Sequence, residues 1–406
     1  MGEKLVSVLM VNYNHEDTLA ETIQSVLNQT YSNFQFIIVD DGSTDRSCAI
    51  IESFQDERIE LYKREENEHI CVATNYGFAK VKGDYLARID SDDLWYPDKL
   101  EKQLLFMEEH PECSVCFTWC DLIDEYGNNI NELEKSLLKL YESETLEQEQ
   151  WLRKFYFEGN CLAHPAVLMK REVLENIGKF TLAYRQLHDF DYWVRIAKQY
   201  KIYVIQERLI AVRRFIDKQQ TKKNASASSE KNDTRVFNES MDIHAHFFEG
   251  MPDKIFLKGF QQDFRYQESH TKEELECEKA FLMCSPLMGW GGLAPAGIER
   301  LAELLEEENM RALLKEKFHF TVKDLYSLTE EHLFVDLILK SRYGEMEQYR
   351  YRLEEEKRQI ELEKHQLQQE VVNCQNLISE YANSTSWKIT EPLRKMGSIA
   401  RRICKR

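Results

Sequence analysis

No apolar run in this 406-residue chain approaches the roughly 18–20 residues that a membrane-spanning helix requires, so no such span is expected. The first residues, MGEKLVSVLMVNYNHEDT, hold a short apolar segment without a small-residue cleavage site and pass directly into polar sequence. They read as a first strand, not as a secretion signal. MGEKLV also lacks the Ser or Thr of a myristoylation signal. Basic residues are in deficit: 53 Lys and Arg face 71 Asp and Glu. The net charge of −18 leaves no overall positive field, so nucleic acid is not an expected partner. The ten cysteines lack a framework spacing, which points to free thiols in a reducing cytoplasm. Cys113, Cys116 and Cys120 contain one C-x-x-C pair. Zinc needs four ligands and no second pair is near, so buried strand thiols are expected there instead.

What is present is a soluble, charge-biased composition, 43% apolar and 31% charged, in a chain long enough for two or three domains. The first half alternates strand and helix. LVSVLMVNY is a continuous apolar strand, and EDTLAETIQSVLNQT follows with Leu19, Ile23, Val26 and Leu27 at helical spacing. FQFIIVDDGSTD, RSCAIIESFQ, RIELYKRE, CVATNYGFAKVKG and DYLARID continue the alternation, with Gly83 expected to stop the helix before the last of these strands. This order predicts an α/β fold: a mixed, mostly parallel sheet with helices on both faces. From about 98 to 217 the pattern becomes α+β, ending in KIYVIQERLIAVRR as a pair of strands. The predicted domains are 1–217 for the sheet domain, 218–234 for a polar linker and 235–342 for a helical accessory domain. A long charged helix over 343–381 and a basic amphipathic tail over 382–406 complete the chain.

Acids gather where such folds bind ligands, at the carboxyl ends of strands. Asp40 and Asp41 end one strand; Asp90, Asp92 and Asp93 end another. Three carboxylates within four residues repel each other, and a hard divalent cation bridging to a diphosphate would offset that repulsion. It would also stabilise charge on a departing diphosphate. Helix capping by Asp93 or Asp98 is the plainer reading, but a cap needs one acid, not three.

VSVLMVNYNHEDTLAETIQSVLNQTYSNFQFIIVDDGSTD, followed by KGDYLARIDSDD, resembles the family 2 glycosyltransferases with their GT-A nucleotide-diphospho-sugar transferase fold. The likeness covers roughly the first 215 residues. It implies a UDP- or dTDP-sugar donor, an Mn2+ or Mg2+ cofactor and an inverting transfer to a glycan, lipid-linked or protein-linked hydroxyl. It places Tyr13 and Asp41 at the nucleobase with Asp40 beside them. Asn75 falls in the nucleotide-sugar site, Asp90 and Asp92 in the D-x-D positions, and Asp93 as a further metal-side acid. QLHDFDYWVRIA resembles the family segment carrying the general base, which maps onto Asp189, with His188 in place of the usual Glu and Asp191 as the alternative. Trp193 is open to an acceptor-pocket role or to core packing. His164, in GNCLAHPAVLM, could face the acceptor or diphosphate, or be structural. Two departures stand out. NEHICVATN has His69 and Thr74 where the family often has Gly and Arg. VRRFIDKQQ offers Arg213 and Arg214 for the diphosphate but no His.

In 343–381, Met346, Leu353, Ile360, Leu367, Cys374 and Tyr381 recur every seven residues, but the complementary Tyr349, Glu356, Glu363 and Glu370 are mostly polar. A coiled coil joining copies of the chain and a solvated or intramolecularly packed helix both fit. The tail sets Lys388, Arg394, Lys395, Arg401, Arg402, Lys405 and Arg406 against Glu391 alone, interleaved with Trp387, Ile389, Leu393, Met396, Ile399 and Ile403. An anionic membrane surface is the first reading; folding onto the chain's own acidic surface is the second. STSWKITEPLRKM resembles a tail of bacterial polysaccharide glycosyltransferases, which implies surface-glycan assembly at the inner face of the membrane. A sugar nucleotidyltransferase would want a Gly-rich, basic first turn, whereas NYNHEDT is acidic. A non-catalytic scaffold with a helical arm is the other alternative.

Overall fold

The computed structural model describes residues 4–216, 224, 227–285, 295–331 and 337–403. The chain divides into two units, 1–334 and 335–406. In the first, strands β1 (Val6–Asn12), β2 (Phe34–Asp40), β3 (Ile59–Lys63) and β4 (Tyr85–Asp90) pair in parallel around β1 and β2. All seven residues of β1 and of β2 are buried, as continuous β-branched and aromatic runs predict for central strands. Strands β5 (Leu94–Trp95), β6 (Val115–Ile123), β7 (Leu168–Lys170) and β8 (Ile202–Arg213) complete one eight-stranded sheet in the order β3-β2-β1-β4-β7-β6-β8-β5. Strands β7 and β5 run against their neighbours, and the other six point the same way. The expected mixed, mostly parallel sheet is present, and the carboxyl ends of six strands share one edge.

Helices α1 (Leu19–Leu27), α2 (Ser47–Ser53), α3 (His69–Phe78) and α4 (Lys99–Glu109) follow the expected order. Helix α3 ends at Phe78, so Gly83 is not its stop. A Cβ on Gly83 would lie 2.6 Å from the Ser7 nitrogen and 2.7 Å from the Leu5 carbonyl oxygen. The glycine permits β4 to approach β1. The expected strand pair over 201–214 is one strand: β8 crosses its exposed Gln206–Arg208 stretch by a register shift against β6, a bulge in place of a turn.

Helices α5 (Lys135–Tyr141) and α6 (Gln148–Glu158) were not foreseen, although α6 buries Trp151, Leu152, Phe155 and Tyr156 at helical spacing. Helix α7 (Arg171–Ile177) stops at Gly178, whose φ of +81° suits the expected glycine terminator. Helix α8 (His188–Ala197) follows.

Helix α9 (Glu230–Ala245) begins inside the stretch read as a linker, with Ser229 accepting from the Asn232 N–H as its cap; residues 218–223 and 225–226 of that stretch lie outside the described residues. Helices α10 (Asp253–Phe260) and α11 (Lys272–Met283) follow, then α12 (Pro295–Glu306), α13 (Glu308–Glu316) and α14 (Val322–Glu331). The core does not stop at the polar stretch. Ile243, Phe247, Phe256, Phe260 and Leu275 belong to the same buried cluster as Trp151 and the sheet. The Tyr156 hydroxyl donates to the Leu282 carbonyl at 2.7 Å, and His244 Nε2 lies 2.9 Å from the Tyr156 carbonyl. A second cluster around Leu301, Leu314 and Phe318 holds α11 to α14. The core therefore continues past the polar stretch into the helices that follow it.

The second unit holds α15 (Leu337–Asn383) and α16 (Thr385–Ile403). In α15, Met346, Leu353, Ile360, Leu367 and Tyr381 are all exposed. Among the described residues, no helix is long and apolar enough to cross a membrane.

Candidate active site

Sheet register brings the acid turns together. Asn12 at the end of β1 pairs with Asp40, and Val11 pairs with Asp90, so the two turns flank the same strand end. Asp40 is turned inward: it accepts from Asn12 Nδ2 at 2.7 Å, the Ser43 N–H at 2.9 Å and Ser43 Oγ at 2.7 Å. Its job is to shape the D-D-G-S turn. Gly42 closes that turn with φ +76°, where a Cβ would meet the Glu66 backbone at 2.7 Å. Asp41 is almost fully buried, 3.1 Å from Arg64 Nε, and burial raises its carboxyl above the usual range while Arg64 opposes the rise. His69, standing where the resemblance expects Gly, adopts φ +70°, and its backbone N–H helps hold the Asp41 charge. Tyr13, 43% exposed, stands just past β1, and Asn14 (φ +57°) accepts from the Thr44 N–H at 2.8 Å. Strained backbone on both sides of one acid is a mark of a built site.

The second turn, Asp90–Asp93, is held from three directions. The Thr18 and Thr22 hydroxyls of α1 donate to the Ser91 carbonyl, each at 3.2 Å. Arg88 Nη2 donates to Asp90 at 3.1 Å. Arg213, expected at the diphosphate, is instead the brace of the turn. Its backbone N–H donates to Asp93 at 2.8 Å and its Nε to the Asp92 carbonyl at 2.8 Å. Its Nη1 reaches the Asp124 and Glu125 carbonyls, and its Nη2 lies 2.7 Å from Glu21. Asp93 is buried under it, and burial with the Asp92 and Asp90 charges drives its carboxyl well above the ordinary value. Asp90 is raised for the same first reason, with Arg88 opposing. Asp92 is partly exposed, with Oδ2 4.0 Å from His15 Nδ1. Among the described residues, no group of three or more His, Cys, Asp or Glu is set to hold a metal ion. Of the three expected carboxylates, Asp93 is buried against the Arg213 N–H, which leaves Asp92 and Asp90 as the pair to weigh. A hard cation that shares its shell with a diphosphate asks for one or two protein carboxylates, which this pair fits.

A chain of contacts runs from Asp90 to α8. The Arg88 guanidinium donates from Nε to His164 at 2.6 Å, and the His164 ring lies 5.5 Å from that of His188. Burial and the Arg88 charge keep both imidazoles neutral, His188 falling to about 4. Among the described residues, Arg88 Nη1 and His188 Nε2 are buried without a hydrogen-bond partner. Beside His188, Asp189 accepts from Asn160 Nδ2 at 2.9 Å and from the Phe190 N–H at 2.8 Å. Burial outweighs these two bonds and lifts its carboxyl to about 6, with Asp90 adding to the rise.

Three expected site residues face elsewhere. Asp191 is bound to Arg195 at 2.9 Å and to the Thr181 hydroxyl at 2.9 Å, which removes it as an alternative base. Trp193 is 1% exposed and packs edge-on against Phe117 at 4.8 Å, so it is core, not pocket wall. Asn75 uses its carboxamide on the Phe180 backbone, donating at 2.9 Å and accepting at 2.8 Å. Two functional partners were missed: Asn160, and Glu239 of α9. Glu239 accepts from the Arg185, Gln186 and Leu187 N–H groups, each at 2.8 Å, in the turn that delivers Asp189. Arg214, just past β8, donates its N–H to the Ile123 carbonyl at 2.7 Å.

The Glycosyl transferase family 2 model matches residues 7–178. An uncharacterised glycosyltransferase of Methanocaldococcus jannaschii is 34% identical over 218 residues, 52% of this chain and 72% of that one. A putative teichuronic acid biosynthesis glycosyltransferase of Bacillus subtilis is 34% identical over 197 residues, 48% and 73% of the two chains. Among solved structures, residues 1–349 of S. aureus TarS in complex with UDP-GlcNAc superpose with a TM-score of 0.51 at 17% identity, covering 80% of this chain and 89% of that one. With the matched segment spanning β1 to Gly178 and the acid turns in register at one sheet edge, the chain belongs to glycosyl transferase family 2.

Proposed function

We propose that the chain is an inverting glycosyltransferase that moves a sugar from a nucleoside diphosphate to an acceptor hydroxyl, with Asp189 as the general base. The observation that carries this reading is the Asp189 carboxyl itself. Its pKa of about 6 leaves it ionised at neutral pH yet more basic than an ordinary carboxylate, and its orientation is held by Asn160 and the Phe190 N–H. One positioned base suits direct displacement, in which the acceptor oxygen attacks the anomeric carbon from the face opposite the departing diphosphate. Tyr13 and Asp41 receive the nucleobase side of the donor. Asp92, with Asp90 beside it, would hold Mn2+ or Mg2+ against the diphosphate, and the cation would supply positive charge to the leaving group. Arg214, just past β8 at the same sheet edge, would meet the phosphates. His188 and His164, both neutral, line the acceptor side next to the base.

The name of the Bacillus relative supports a glycan acceptor in polysaccharide assembly, and the ligand of the superposed structure makes a uridine donor the first to try. Calorimetry with UDP and Mn2+ tests the donor half. Binding that needs the metal and weakens about tenfold or more in Asp92→Asn is expected. Failure to bind either UDP or dTDP, with or without metal, would leave the chain a scaffold without donor chemistry.

A further inference from the structure

We infer that α16 is a docking helix for an anionic lipid surface. Its apolar residues Ile389, Leu393, Met396 and Ile399 recur at spacings of four, three and three, which sets them on one face of an α-helix. All four are exposed, by 57–71%. The basic residues border that row. On 3.6-residue geometry Lys388 and Lys395 flank it on one side, while Arg394 and Arg401 lie across the polar face. Glu391 is the single acid of the helix, and it is tied to Lys395 at 2.8 Å. This is a concentrated cationic segment in a chain of net charge −18.

Three occupants suit an apolar row in general: a second copy, an acidic protein groove or a lipid surface. An antiparallel second copy would set Lys388 and Lys395 against their own equivalents beside the seam, and like charges in those flanking positions oppose pairing. A groove needs a helix that presents its row without interruption, yet Pro392 removes one backbone hydrogen bond inside this helix. A headgroup layer tolerates that missing bond, takes the apolar row to shallow depth and leaves each Lys and Arg at the phosphate level. The charge complementarity is with anionic lipid, and the proposal commits to that.

The proposal is independent of the transfer reaction, because its readout is flotation, not activity. The full chain is floated with vesicles of phosphatidylcholine alone and with vesicles containing about one third phosphatidylglycerol. The expected result is binding to the acidic vesicles at least about tenfold stronger than to the neutral ones, falling as salt rises. Two variants separate the contributions: Lys388→Glu with Lys395→Glu, and Leu393→Asp with Met396→Asp. Each should abolish flotation while UDP binding stays at the parent value. No binding to either vesicle, or equal binding to both, overturns the inference. So does a concentration-dependent dimer that both variants dissociate in the absence of lipid.

Discussion

At the residue scale, the role proposed for Asp189 sets the expected pH dependence of the reaction. The carboxyl must be ionised to accept a proton, and burial has moved its pKa from the ordinary 3.8 to about 6. The rate at limiting substrate is therefore expected to rise about tenfold per pH unit below that value and to level off above it. A profile that stays flat down to pH 5 would exclude Asp189 as the titrating base. Asp191→Asn should leave the profile in place, since Asp191 is already neutralised by Arg195.

Lys99 gives a second residue-scale expectation, this one for stability. It is fully buried, its Nζ 2.6 Å from Gln103 Oε1 and 4.0 Å over the Trp95 ring. Burial lowers its pKa from 10.5 to about 7. A depressed lysine pKa means that the unfolded chain binds the proton more readily. The associated stability is present above 10.5, is lost as pH falls toward 7, and is absent below that. Lys99→Met is expected to raise stability by about 1–3 kcal/mol at pH 7, the scale of removing an uncompensated buried charge. The gap between variant and parent should narrow as pH rises toward 10. Denaturant melts at pH 7 and pH 9.5 measure it; equal gaps at both would show that the amine is not desolvated as described.

At the scale of elements, the turn before α8 decides where the base points, and it is shaped from far along the chain. Glu239 reaches back 52 residues to the Leu187 N–H, and Asn160 lies 29 residues from Asp189. Glu239→Gln places an amide N–H against three backbone N–H groups. It is expected to lower kcat by about ten- to a hundredfold through misplacement of Asp189, with UDP affinity unchanged. A fall in melting temperature with kcat intact would make Glu239 a brace for the fold alone. This is also where the sequence stops being legible. A short motif names Asp189 and Asp90, because the family pattern is local. It says nothing of direction: Asp191 lies two residues on and turns to Arg195, and Trp193 turns into the core. Arg213 was legible as a cation at the right strand end, but not as the brace under Asp93, because that contact spans 120 residues.

For the whole molecule, alternation of strand and helix was enough to predict the sheet, its mostly parallel sense and the edge that carries the site. The polar stretch 217–234 suggested a domain boundary, yet α9 to α11 complete the core that begins at β1. Composition reports exposure of a segment, not where a core ends, and the aromatic residues that join the two parts are scattered from Trp151 to Phe264. The helical part is therefore not an appendage: Glu239 of α9 holds the turn that precedes Asp189. The most direct measurement of the central claim is sugar transfer by Asp189→Asn, with UDP binding followed in the same preparation. The account expects transfer to fall by about a hundredfold or more while UDP binds as in the parent chain. Near-normal transfer by the folded variant would contradict it.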